Sequence, residues 1–260
     1  MIPRIRRYAA NIALVLAILS LLALGFAGFG VHEEMFDLDY AVGVLATGWA
    51  PALALAAGAL GFLALLAAML LRPRRDRTVS LLAVALAATA FAGATEVKAV
   101  VAAHPPIHDV ATDWADPLLL GPAASAARGG GANRVEPDPK VQAQPQDPNL
   151  TGTRVAEVNA RTCPDAVPVV LTGSVRGAYD KARAAMLREG LALVTENPAD
   201  GRIEATAVSH WLKLKGDVIV RVKPEGAGAR VDIRSLSRTG IRDLGENCRR
   251  VGRLRAAISR

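Results

Sequence analysis

Asp217-Val-Ile-Val-Arg-Val-Lys-Pro-Glu-Gly-Ala-Gly-Ala-Arg-Val-Asp-Ile-Arg-Ser235 is the stretch that decides how the C-terminal part of this chain folds. Between Asp217 and Lys223, Val218, Val220 and Val222 recur at every second position, and Val231 and Ile233 do the same between Arg230 and Ser235. A period of two places each set on one face of a strand. The intervening Pro224-Glu-Gly-Ala-Gly-Ala229 is a turn, so the whole reads as a β-hairpin. With both apolar sets on one face, Val222 lies opposite Val231 and Val220 opposite Ile233. Arg221 then sits across from Asp232 on the other face, a cross-strand ion pair.

Upstream of the hairpin, Pro168 to Thr172 reads as a strand. Ser174 caps a helix running to about Glu189, with Ala178, Ala182, Ala185 and Met186 on one side and Gly190 ending it. Leu191 to Thr195 and Arg202 to Ala207 are two more strands around the turn Asn197-Pro-Ala-Asp-Gly201. His210 beside Trp211 is expected as a partly buried packing pair after a break in the second of these strands. Downstream, a helix from about Leu244 to Ile258 is expected, capped by Asp243 with Glu246 three positions on, and striped by Leu244, Cys248, Val251, Leu254 and Ile258. Arg249, Arg250, Arg253 and Arg255 fall mostly off that stripe. The order β-α-β-β-β-β-α predicts a small α+β two-layer sandwich, an antiparallel sheet with its helices on one face, over residues 159–260.

The N-terminal part is different material. Of 260 residues, 52% are hydrophobic and only 4% aromatic, and the excess lies almost wholly before residue 104. A bilayer core roughly 30 Å thick requires about 20 apolar residues per spanning helix. Three stretches qualify, at about 11–31, 49–71 and 78–101, so residues 1–103 are expected to form a three-helix transmembrane region. A cleaved secretory signal is the alternative for the first stretch. Its apolar run is longer than a signal core, and two further hydrophobic stretches follow it, which identify a retained anchor. Pro51 falls in the first turn of the second helix, and Ala54, Ala57, Gly58 and Gly61 give it a face of small residues suited to packing among the three helices. Glu96 and Lys98 near the end of the third are expected at the interface.

Basic residues set the orientation. Arg4, Arg6 and Arg7 precede the first span, Arg72, Arg74, Arg75 and Arg77 lie between the second and third, and the intervening loop carries Glu33, Glu34, Asp37 and Asp39. The first two segments are therefore expected in the cytoplasm. That makes the chain a multi-pass protein of the cell (inner) membrane, with its N-terminus inside and its C-terminal domain extracytoplasmic. Residues 104–158 are expected as a polar segment followed by a linker. Gly129 to Gly131 and Pro137, Pro139, Pro145 and Pro148, with few large apolar residues between Leu118 and Asn159, predict an extended, mobile tether.

Both cysteines, Cys163 and Cys248, lie in the part expected outside the cytoplasm, where disulfides persist. A bridge between them is expected. The net charge of +7 is carried largely by the C-terminal part, which suits anionic lipid headgroups beside the anchoring bilayer and argues, in that compartment, against nucleic acid. His104, His108, Asp109 and Asp113 match no metal-ligand spacing. Ser235 and Ser237 near Arg238 lack an identifiable base, and no phosphate-binding glycine loop is present. No catalytic residue, metal or cofactor is expected.

Pro105-Pro-Ile-His-Asp109 with Asp113, Gly201-Arg-Ile-Glu-Ala205, Asp217-Val-Ile-Val-Arg221, Arg230-Val-Asp-Ile-Arg-Ser-Leu-Ser-Arg238, Gly240 and Asp243-Leu-Gly-Glu-Asn247 together resemble the family called domain of unknown function 1499, from roughly Pro105 to the C-terminus. The chain departs from the family pattern after Asp113, with a Gly-rich insertion. The resemblance implies N-terminal membrane helices in bacterial members and no established reaction. It points to the polar residues at matching positions. His108, Asp109, Asp113, Arg234, Ser237, Arg238 and Asn247 are the candidate binding residues, while Arg221 and Asp232 as a ladder pair and Asp243 as a cap have structural roles. Two functions follow. The first is a cell-envelope binding or accessory module for a lipid, a small ligand or another envelope protein. The alternative is a membrane-surface hydrolase or transferase with its site near residues 104–113 and 234–238. A deep cleft joining Asp109 or Asp113 to Arg234 or Arg238 is the mark of the enzyme.

Overall fold

The computed structural model describes residues 2–71, 76–143 and 147–260. Arg72, Arg74 and Arg75 of the expected cytoplasmic loop and Pro145 of the expected linker lie outside the described residues. The chain divides into two compact units, 1–103 and 104–260.

The first unit consists of α1 (Ile2–His32), α2 (Leu38–Leu70) and α3 (Arg77–Ala103), each long and apolar enough to cross a membrane. Small residues meet at their contacts: Ala10, Ala13 and Ala17 of α1, Ala54, Ala57, Gly61 and Ala64 of α2, and Ala83, Ala87 and Ala90 of α3 are buried. A Cβ on Gly61 would touch Val84, Ala83 and Ala13, so this face serves packing within the chain. Large side chains such as Leu22, Phe29, Leu55, Phe62, Leu63 and Leu81 point outward. Small inside and large outside is the arrangement of helices bathed in lipid, where close backbone approach replaces the hydrophobic effect as the packing force. The second helix begins well before the expected position. Asp37 caps it by accepting from the Tyr40 N–H, and Ala41–Trp49 is wound as a π-helix. Pro51 falls, as expected, in the first turn of the α-helical segment Ala50–Leu70, which here continues directly from the π-segment.

In the second unit one antiparallel sheet is formed by β1 (Asp109–Ala111), β2 (Val169–Thr172), β3 (Ala192–Asn197), β4 (Arg202–Val208), β5 (Lys215–Glu225) and β6 (Gly228–Ser237). The order is β1-β6-β5-β4-β3, with β2 also paired to β6, so β1 and β2 share one side of β6, residues 234–236 and 228–231 respectively. The hairpin register is the one that alternation requires: Val222 pairs with Val231, Val220 with Ile233 and Arg221 with Asp232. Its inner face packs against α6 (Val175–Arg188) and α7 (Glu246–Ile258), where Val220, Val231 and Ile233 join Ala182, Met186, Val251 and Leu254 in the core. Such fully buried aliphatic side chains each contribute about 1.5–3 kcal/mol. Ser174 caps α6 by accepting from the Gly177 N–H.

Two local expectations fail. The last helix starts at Glu246, not Leu244, because Leu244 (φ 51°) and Gly245 (φ 78°) both adopt the left-handed conformation. A Cβ on Gly245 would lie 2.5 Å from the His104 ring, so glycine is needed there for space as well as for φ. His210 and Trp211 do touch edge to face, at 5.4 Å between centroids, but Trp211 is 82% exposed rather than partly buried.

The largest correction concerns residues 104–158. The polar segment supplies β1, and α5 (Val155–Thr162) puts Val155 and Val158 into the main core. Residues 112–136 between them cross the outer face of the sheet as a strap. It carries one short helical turn, α4 (Pro122–Ala126), and buries Leu118 against Ile219 and Leu236 in a second, smaller core. Composition suggested a mobile tether because the strap has few apolar residues of its own. It is held instead by the sheet's side chains. Arg234 donates to Leu118 O and Glu136 O at 2.7 Å each, Arg221 to Asp116 O at 3.1 Å and Arg238 to Ala127 O at 3.0 Å. Glu204 in turn accepts from the Gly121 N–H at 2.7 Å. Farther on, the Val141 N–H donates to Thr153 O at 2.9 Å and the Gly152 N–H to Val141 O at 3.0 Å.

Candidate functional site

Strand alternation sends Arg202 and Glu204 of β4, Asp217, Arg221 and Lys223 of β5, and Arg230, Asp232 and Arg234 of β6 to the outer face of the sheet. Charges so placed must be paired wherever the strap excludes water. The pairing forms four groups.

At the hairpin end, Asp232 is fully buried and accepts from Arg221 Nη2 at 2.8 Å and from Arg230 Nε at 2.7 Å. Arg230 reaches back to Asp113 at 2.6 Å. Arg221 and Lys223 hold Asp116 at 3.0 and 3.3 Å, and the hydrogen bond from Lys223, with the charge of Arg221, lowers that carboxyl's pKa. Next along β6, Arg234 lies 0% exposed against Asp109 at 1%, in a two-pronged pair with Nε to Oδ1 at 3.0 Å and Nη2 to Oδ2 at 2.5 Å. The Trp114 ring covers the guanidinium, 5.0 Å from its centroid.

Beyond Leu236, Arg238 grips Asp217 through Nε at 3.0 Å and Nη2 at 2.7 Å, while Arg128 of the strap donates to the other oxygen at 2.6 Å. The fourth group centres on Glu204, which accepts from Thr195 Oγ1, the Gly121 N–H and Arg202 Nη2, all at 2.7 Å. Burial alone would raise the Glu204 pKa, but these donors outweigh it and leave the carboxyl below its ordinary value.

The inner face carries a polar knot where α7 meets β6. Asn247 donates to His108 O at 2.9 Å and to Ser237 Oγ at 3.0 Å, and its Oδ1 accepts from Ser235 Oγ at 2.7 Å and Arg250 Nη1 at 2.9 Å. Asp243 accepts from the Gly245 and Asn247 N–H groups, each at 2.8 Å, and burial raises its pKa despite those bonds. Glu246 does not reach back as a capping-box partner; it pairs with Arg249, Arg250 and Arg253. Arg250, placed off the apolar stripe by sequence, is 5% exposed, and burial lowers its pKa.

Of the seven candidate binding residues, the fold brings His108, Ser237 and Asn247 together in the polar knot and Asp109 with Arg234 beneath the strap. Asp113 and Arg238 belong to separate groups on either side of that pair. Asp109 does converge on Arg234, but in a pair sealed from solvent, not in a cleft. Glu204, Asp217, Arg128 and Arg250 are not among the candidate residues that the sequence points to. Glu204 and Asp217 had a signal, being charges at outward positions of strands.

Residues 140–258 match the model of a family described as Protein of unknown function (DUF1499). The match includes β2 to β6 and α5 to α7 and leaves out β1 and the strap, so the Pro105–Asp113 motif lies outside it. The chain matches no curated protein and no solved structure.

Proposed function

We propose, starting from a domain that belongs to the DUF1499 family, that this chain is a membrane-anchored binding module whose α+β domain faces away from the cytoplasm and engages a component of the cell envelope. Three apolar helices provide the anchor. The outward orientation is supported by the acidic loop between the first two helices, by the basic N-terminal segment, and by the disulfide joining Cys163 to Cys248, with Cα atoms 5.8 Å apart.

The observation that carries the binding reading is the employment of the outer-face charges. Asp109, Arg234, Asp217 and Arg238 all pair with one another or with the backbone of the strap, and all four are buried. A hydrolase or transferase working there would need an acid or base that reaches substrate. These groups instead fasten residues 113–136 to the sheet and shape a rigid surface. Anionic headgroups of the bilayer, or another envelope protein, are the partners such a membrane-anchored basic domain suits.

Protease digestion of sealed vesicles carrying the full chain with a C-terminal epitope tests the orientation. Loss of the epitope from right-side-out vesicles and its survival in inverted ones is the expected outcome. The reverse pattern refutes an outward-facing module.

A further inference from the structure

A cleft of about 340 Å³ opens in the strap itself, with Ser125, Arg128, Asn133 and Arg134 on its polar side and Leu120 and Val135 on its apolar side. The Arg128 side chain is only 7% exposed. Its Nε is bonded to Asp217 at 2.6 Å and its Nη1 to Asn133 O at 2.6 Å, but its buried Nη2 has no acceptor among the described residues. A buried guanidinium nitrogen without an acceptor is unusual, because buried donors are nearly always paired.

The charge around it points the same way. Arg128 and Arg238 converge on the single carboxylate of Asp217, so the triad beneath the cleft carries one uncompensated positive charge. The other buried acid nearby, Glu204, is taken by Arg202, Thr195 and the Gly121 N–H. Arg134 adds a second, exposed guanidinium to the wall. An oxyanion would take the unused donor and balance the charge, in the charge-assisted bonds that arginine forms best with phosphate.

We infer that this cleft is a binding site for a phosphate-type oxyanion, held by Arg128 and Arg134 with Ser125 beside them, and with Leu120 and Val135 accommodating an apolar substituent. The site deepens the proposed function by naming a ligand class and rests on that reading. It lies in residues 119–135, outside the part matched by the family model. A phospholipid headgroup and a free phosphate share this chemistry.

The test uses the full chain in nonionic detergent at constant ionic strength, titrated separately with inorganic phosphate and with a short-chain phosphatidic acid. Saturable binding of at least one probe is expected. Binding of phosphate identifies a free-anion site, and binding of the lipid alone identifies a headgroup site. Arg134→Ala removes an exposed side chain, so it is expected to weaken binding about tenfold without moving the melting temperature. Arg128→Lys keeps a charge beside Asp217 but gives up Nη2, and is expected to weaken binding to a similar degree. No saturable binding of either probe, or a loss below threefold in Arg134→Ala, overturns the proposal. Vesicle digestion tests the outward-facing module without any ligand, so a domain that faces outward and takes no phosphate fails on this inference alone.

Discussion

Arg234→Met should be among the most damaging single changes in the C-terminal domain. The substitution keeps an unbranched apolar stem of similar reach and deletes a guanidinium that makes four hydrogen bonds. Two go to Asp109, one to Leu118 O and one to Glu136 O. Asp109, 1% exposed, is then left as an uncompensated buried charge, a loss worth about 3–5 kcal/mol. The two carbonyls add roughly 1–3 kcal/mol each if they stay buried without donors. These costs do not simply sum, because the strap can lift and admit water, so the expected loss is about 4–5 kcal/mol. Against a total stability of about 5–15 kcal/mol, that is a large fraction. Adding Asp109→Asn removes the stranded charge but not the stranded carbonyls, and should restore about 2 kcal/mol, a coupling that a double-mutant cycle isolates. Urea unfolding of the full chain in nonionic detergent gives the stabilities, and brief trypsin treatment reports the strap through cleavage at Arg128 and Arg134. A loss below about 1 kcal/mol in Arg234→Met, with unchanged cleavage in the strap, refutes the role assigned to this pair.

Three further outcomes follow from the same structure. Replacing both Cys163 and Cys248 by Ala should cost about 4–5 kcal/mol, since the bridge closes a sequence separation of 85; wild-type protein with reductant should melt with the variant, and coincident melting with and without reductant contradicts this. Gly201→Ala forces a side chain into φ +62° and places its Cβ 2.0 Å from Val222 O, so a loss of about 2–4 kcal/mol in the free energy of unfolding, measured by urea titration, is expected. The lowered pKa of Glu204 means its ionised form stabilises the fold above the unfolded-state carboxylate value, and that stability is lost as pH falls through the folded-state value. Glu204→Gln should therefore cost about 1–3 kcal/mol at pH 7, with the difference from wild type shrinking in acid melts.

Much of this architecture could be read from sequence because it is encoded locally. The hairpin register follows from the alternation of five apolar residues, and the three long helices follow from the length of their apolar runs. The strap could not be read that way. Its order comes from partners far away in the chain: Arg234 holds Leu118 across 116 positions, and Glu204 holds Gly121 across 83. A Gly- and Pro-rich segment gives no sign that arginines on a distant strand will hydrogen-bond its backbone. Leu118, Leu120 and Val135 are its local clues, and Ile219, an apolar residue at an outward position, is the matching clue on the sheet. Arg250 lies off the apolar stripe, as its position indicates, yet it is buried. It faces Ser235 and Asn247, so a buried polar lining, absent from any apolar stripe, accepts it. The same cause separated the candidate residues. Matching polar positions suggested one site near residues 104–113 and 234–238, whereas strand alternation divides them, Asp109, Arg234 and Arg238 to the outer face and Ser237 with Asn247 to the inner one.

The strap's attachment to the sheet is the claim on which both the closed Asp109–Arg234 pair and the anion cleft depend. Amide hydrogen exchange on the full chain in detergent tests it residue by residue. The Gly121 N–H, bonded to Glu204 at 2.7 Å, and the Asn133 N–H, bonded to Arg238 O at 2.6 Å, should exchange as slowly as neighbouring amides of β6. Exchange of both at unstructured rates, while β5 and β6 stay protected, would show a free tether and contradict the account.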